Sequence, residues 1–211
     1  MDETADVPAL LDRLQAGDQL ALGELFSHYR DRLGRMIQFR LDGRLRGRVA
    51  TSDVLQEAYI DALKRLPHYQ AAEGMPFLIW LRWVTMQRLV EVHRQHLGAR
   101  MRDAGREVAL DPGGSLAASS EKIADFIGDL TSPSQAAERA EAMDQLRLAL
   151  DGLEPADREV LALRHFEELS NLEAAAVLGI QPAAASKRYV RALERLKGAM
   201  ERLQGLGGED R

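Results

Sequence analysis

The chain has 211 residues, 45% hydrophobic and 29% charged, which is enough apolar material for one large core or two small ones and excludes global disorder. It contains no cysteine, which excludes disulfide staples, zinc knuckles and thiol chemistry and suits a reducing cytoplasm. The net charge of −5 hides two cationic patches: residues 77–106 hold six arginines against two acids and residues 183–204 hold six Lys/Arg against two acids, while residues 107–146 hold eight acids against two bases.

The opening MDETADVPALLDRL is acidic and has no basic segment followed by an apolar run, so it does not read as a secretory signal. The longest apolar stretch, Met75 to Val84, is interrupted by Arg82 and is too short to span a bilayer. A soluble cytoplasmic protein is expected. Helical periodicity is predicted from Pro8 to about Ala16, Gln19 to about Leu41, Ser52 to Leu66 and Pro76 to about Leu97. From Gly98 to Ser134, Gly/Pro/Ser clusters surround one short apolar piece, as in a linker. Periodicity resumes at Gln135 and runs to Gln204, with breaks near Gly152–Pro155, Glu168–Ser170 and Gly179–Pro182. No strand-like alternation occurs. The expected fold is therefore all-α: two small helical domains, residues 8–97 and 135–204, joined by an acidic linker at 98–134.

Residues 52–66, SDVLQEAYIDALKRL, predict an amphipathic helix capped by Ser52 or Asp53, with Leu55, Tyr59, Ala62, Leu63 and Leu66 as its buried stripe. Asp53, Gln56 and Glu57 gather near its start, where compensation of the helix dipole alone would favour acids. The next segment, PFLIWLRWVTMQRLVEVHRQHLGARMR at 76–102, carries two apolar stripes and should lie sandwiched in a bundle. Trp80 is assigned to its core. Trp83 belongs either to the core or to a surface that meets unstacked bases. Arg82, Arg88, Arg94 and Arg100 give the polar remainder a phosphate-binding character.

The C-terminal half holds the clearest local grammar. Ser170-Asn171-Leu172-Glu173 reads as a capping box, Gly179 as a left-handed C-terminal cap, and Pro182 as the opening of a second helix. That helix sets Tyr189, Ala192, Leu193, Leu196, Met200 and Leu203 on one face, with Ala184, Arg188, Arg191 and Arg195 opposite and Lys187 at the edge. A tight turn, a small Ala174-Ala175-Ala176 packing surface and a basic second helix together describe a helix-turn-helix whose guanidinium groups suit the major groove. A plain helical hairpin with a solvated basic face shares part of this pattern.

No Gly-rich phosphate loop, nucleophile elbow or converging carboxylate pair occurs, so no enzyme and no cofactor are expected. His93 and His96 stand three apart on a helix but have no third ligand nearby, and no metal site is assigned.

Residues 153–197, LEPADREVLALRHFEELSNLEAAAVLGIQPAAASKRYVRALERLK, resemble the region-four domain of extracytoplasmic-function (ECF) sigma factors. Asp53-x-x-Gln56-Glu57 followed by an aromatic resembles the region-two signature of the same family, and Phe77-x-x-Trp80-Leu81-x-x-Val84 its strand-opening segment. The resemblance covers about residues 9–97 and 135–203. It implies a non-enzymatic promoter-recognition subunit of bacterial RNA polymerase. Asp53, Gln56 and Glu57 would then dock on the polymerase core. Arg82, Trp83, Gln87, Arg88 and Arg94 would hold the −10 promoter element, and Lys187, Arg188, Arg191 and Arg195 would read the −35 element. An anti-sigma factor or other regulatory partner is also implied. Three departures stand out. Ala184 and Ala185 replace the usual Thr-Val, Gln87 replaces the usual Asn, and Glu91 the usual Asp. Two other functions fit part of the pattern: a conventional helix-turn-helix regulator, which would dimerise on paired half-sites, and a sigma-like decoy that sequesters an anti-sigma factor.

Overall fold

The computed structural model describes residues 6–71, 75–101, 123 and 136–206. The chain divides into two compact units, Met1–Ser115 and Leu116–Arg211. Among the described residues there are eight α-helices, one 3-10 turn and no strand, so the fold is all-α.

In the first unit α1 (Val7–Gln15) begins at Asp6, whose carboxylate accepts from the Ala9 amide at 3.4 Å, and Pro8 lies in the first turn, where its missing amide costs nothing. The α2 helix (Leu20–Arg40) buries Leu22, Leu25, Phe26, Leu33, Met36 and Ile37, a stripe at helical spacing. A 3-10 turn follows at Gly43–Leu45, capped by Asp42. The Asp42 amide donates to His93 Nε2 at 3.0 Å, which ties this turn to the helix carrying His93. Arg44 pairs with the Asp42 carboxylate at 2.8 Å and holds its pKa down at about 2.

The α3 helix (Thr51–Ala71) packs on both α2 and α4 (Phe77–Met101). It buries Val54, Leu55, Ala58, Ala62 and Leu66. Leu63, expected in this stripe, is instead 36% exposed, because the buried arc runs through Ala58 and Ala62 and leaves Leu63 on its far edge. The helix also outlasts its expected end. It continues through Pro67, which removes only the bond to the carbonyl of exposed Leu63, where water can substitute. Aromatic packing sustains this last turn: the Tyr69 ring lies 4.7 Å from Trp80 and 5.5 Å from Phe77, and its hydroxyl donates to the Met75 carbonyl at 3.3 Å. Trp80 is core, as its spacing predicts. The α4 helix extends four residues beyond Leu97, into the segment expected as linker. Apart from helical, buried Ile123, the rest of that segment (residues 102–134) lies outside the described residues.

The second unit comprises α5 (Ala136–Asp151), α6 (Pro155–His165), α7 (Asn171–Leu178) and α8 (Pro182–Leu206). Helices α5, α6 and α7 each pack on α8. Ala174, Ala175, Ala185 and Ala192 are each at most 2% exposed, and such small side chains let the helix backbones approach closely. Leu150, Val160, Leu161 and Leu163 fill the remaining core. The turn after α6 is held by the Arg164 guanidinium, which donates to the Leu169 carbonyl at 2.5 Å.

Candidate nucleic-acid interface

The start of α8 is fixed from several directions. The Ser170 hydroxyl accepts from the Glu173 amide at 3.2 Å, while the Glu173 carboxylate accepts from the Ser170 amide at 2.7 Å, the reciprocal capping box expected from sequence. Helix α7 ends at Gly179, with φ 64 and ψ 30 in the left-handed region. The Asn171 side-chain amide donates to the Pro182 carbonyl at 2.9 Å and so fastens the beginning of α7 to the beginning of α8. An alanine at position 179 finds open space for its Cβ but must adopt the left-handed conformation. Gly179→Ala is therefore expected to destabilise the protein by about 1–2 kcal/mol, read as a lowered urea midpoint of the full chain.

Helix α8 divides its residues sharply. Ala185 and Ala192 are completely buried, while Ala184, Lys187 and Arg191 are exposed and Arg188 is half-buried. Lys187, Arg188 and Arg191 form no ion pair with any described residue, and together with Ala184, Ser186 and Val190 they line an open groove of about 530 Å³. Arg195 differs. Its guanidinium donates to Asp157 of α6 at 2.6 Å, and that carboxylate is only 5% exposed. The sequence groups Arg195 with the other cations, but the structure uses it to lock α8 onto α6, because a carboxylate that buried requires a counter-charge. Leu193, expected on the buried face, is 37% exposed.

Tyr189 secures the inner face of α8. Its hydroxyl lies 3.0 Å from His165 Nε2, and the Arg164 guanidinium sits over its ring at 5.4 Å. Burial and the nearby Arg164 charge lower the His165 pKa below its ordinary value of 6.5. A lowered histidine pKa contributes stability that is present above the ordinary value and lost as pH falls through the lowered one. Acidification from about pH 7.5 to about 5.5 is expected to lower the denaturation midpoint, and His165→Gln should flatten that part of the profile.

In the first unit, Asp53, Gln56 and Glu57 all lie exposed on α3, continuous with Ile60 (43% exposed) and Leu63. Polar and acidic groups thus border an apolar strip on one helix face. The sequence singles out the polar trio; the apolar strip beside it emerges only once burial is known. On α4, Trp83 is 38% exposed, with the Arg65 guanidinium 5.2 Å from its ring centroid, and Gln87 is half-buried and Arg94 exposed. Spaced by four and seven, these three form one stripe. Arg82 and Arg88 do not join it. Arg82 is 6% exposed and engaged within the protein. Arg88 turns toward α3, where it pairs with Asp61 and Glu57. Both sit on the side of α4 that packs, which a list of arginines cannot distinguish.

A profile of the family described as "ECF sigma factor" matches residues 4–202. The ECF RNA polymerase sigma factor SigD of Mycobacterium tuberculosis is 29% identical over 189 residues, covering 90% of this chain and 81% of that protein. The ECF RNA polymerase sigma factor ShbA of Streptomyces griseus is 29% identical over 202 residues, covering 95% and 98%. The RNA polymerase sigma-H factor of Pseudomonas aeruginosa is 27% identical over 198 residues, covering 92% and 93%.

Proposed function

The chain belongs to the ECF sigma factor family, and we propose that its two helical units divide the work of directing RNA polymerase to promoters. The α3 face bearing Asp53, Gln56, Glu57, Ile60 and Leu63 docks on core polymerase. The Trp83–Gln87–Arg94 stripe of α4 receives the −10 strand, Trp83 by stacking on an unstacked base and Arg94 by phosphate contact. Lys187, Arg188 and Arg191 of α8 enter the major groove at the −35 element. The observation that carries this reading is that these three cations form no ion pair with any described residue, on a helix whose start is fastened by Asn171 and Gly179. The work is done by binding energy, in the cytoplasm, where core polymerase acts. A regulatory partner of the anti-sigma kind has these same surfaces to cover.

Mixing the protein with bacterial core polymerase is expected to give a stoichiometric complex that starts transcription at defined sites. Absence of a complex at micromolar concentration, from a folded sample, would overturn the reading. A single copy per polymerase separates it from a dimeric regulator. Replacing Gln56 and Glu57 together by alanine is expected to weaken core binding while changing stability by only about 0.5 kcal/mol, as is usual for exposed positions. Pull-down on core and a melting curve check the two halves of that statement.

A further inference from the structure

Sequence places Arg88 among the phosphate-facing arginines, yet its guanidinium is committed to α3. Nε and Nη2 both donate to Asp61 Oδ2, the Nε bond at 2.9 Å, and Nη1 lies 3.4 Å from Glu57 Oε2. Side-chain exposure rises along this row, from 12% at Asp61 to 23% at Arg88 and 53% at Glu57. A carboxylate as enclosed as Asp61 is stabilised by the cation beside it, and withdrawing that cation would leave a desolvated charge alone. A DNA phosphate would have to overcome this hold to recruit Arg88. The guanidinium therefore stays, and its remaining edge is directed at Glu57, which stands at the surface beside Gln56 and Ile60.

We propose that Asp61 and Arg88 are positioning residues for Glu57: the buried carboxylate fixes the guanidinium, and the guanidinium fixes the Glu57 carboxylate before core polymerase arrives. This rests on the reading of the α3 face as the core-docking surface. A long side chain ordered in advance loses less rotamer freedom on binding, so the row raises affinity for core without touching it. Only arginine can do this. Its planar fork bonds Asp61 along one edge and still presents Nη1 as an ion-pair partner to Glu57, whereas a lysine ammonium satisfies one partner as a point charge.

The test is a double-mutant cycle on the affinity of the full chain for core polymerase, using R88K, E57A and the two combined. R88K is expected to weaken core binding by roughly fivefold to tenfold, and to add nothing once Glu57 is already alanine. The neutral pair D61N/R88Q removes the buried carboxylate and its counter-charge together, which keeps the fold, and should weaken core binding to a similar degree. The holoenzyme carrying D61N/R88Q should hold single-stranded −10 DNA with an unchanged salt dependence. A slope of log K against log salt that becomes shallower by about 0.7 would make Arg88 a phosphate ligand and overturn the proposal. Independent, additive losses in the cycle would overturn it as well. Failure of the wild-type chain to bind core removes the docking reading and this proposal with it. Wild-type binding without coupling removes the proposal alone.

Discussion

Replacing Trp80 by alanine is expected to destabilise the protein by about 3–5 kcal/mol, whereas Trp83→Ala should cost clearly less, about 1–2 kcal/mol. The two tryptophans are three residues apart on α4, yet their surroundings differ. Trp80 is 5% exposed, with its ring 4.7 Å from Tyr69 and 5.5 Å from Phe77, so truncation leaves a cavity at the α3–α4 connection. Trp83 is 38% exposed and loses its cation–π contact with Arg65 together with a smaller share of apolar burial than Trp80. The functional outcome reverses the order. A folded Trp83→Ala protein should still bind core polymerase but hold the −10 strand with affinity reduced by about tenfold or more, since base stacking on an aromatic ring is worth roughly 1–3 kcal/mol. Urea denaturation of both variants and single-strand binding by the Trp83→Ala holoenzyme test this. A strongly destabilised Trp83 variant would place that ring in the core instead.

The second large effect separates Arg191 from Arg195, which lie on adjacent turns of α8. Arg191→Ala should leave the denaturation midpoint nearly unchanged and weaken promoter binding by about 1–3 kcal/mol, with relaxed preference at one upstream position if the contact is to a base. Arg195→Ala should instead destabilise the protein by about 1–3 kcal/mol, because Asp157 is left buried without its donor. Asp157→Asn should relieve much of that loss when combined with Arg195→Ala, since a neutral side chain tolerates the site better than an unpaired charge. Denaturation of the three variants decides the Arg195 role. Promoter competition against unrelated duplex decides the Arg191 role.

Much of this architecture was legible in the residues because it is local. Ser170 and Glu173 are three apart, Gly179 closes its own helix, and Pro182 opens the next, so each signal acts within a turn of where it is written. What escaped reading depends on partners far along the chain. Arg88 is 27 residues from Asp61, and Arg195 is 38 from Asp157. A count of basic residues cannot tell a cation offered to solvent from one already neutralised. The same reason explains Pro67, where propensity argues for a helix end and the packing of Tyr69 against Phe77 and Trp80 overrides it. Periodicity assigned Leu63 and Leu193 to buried faces because both sit at the margin of an apolar arc, where phase alone is ambiguous.

The division of α8 between buried and outward residues bears on how such a protein changes its targets. Ala185 and Ala192 carry the packing, and Asn171 and Gly179 set the angle of approach, without using Ala184, Lys187, Arg188 or Arg191. Those four outward positions therefore behave as an exchangeable cassette. A duplicated gene can acquire a new upstream preference by substitutions there while its scaffold remains under separate constraint. The connection from Gly179 to Pro182 has no such latitude in length, because the left-handed Gly179 and the bond from Asn171 to the Pro182 carbonyl together set where α8 begins, and an inserted residue would break that register. Divergence of targets along this lineage should proceed by replacement on the helix, and not by insertion in its turn.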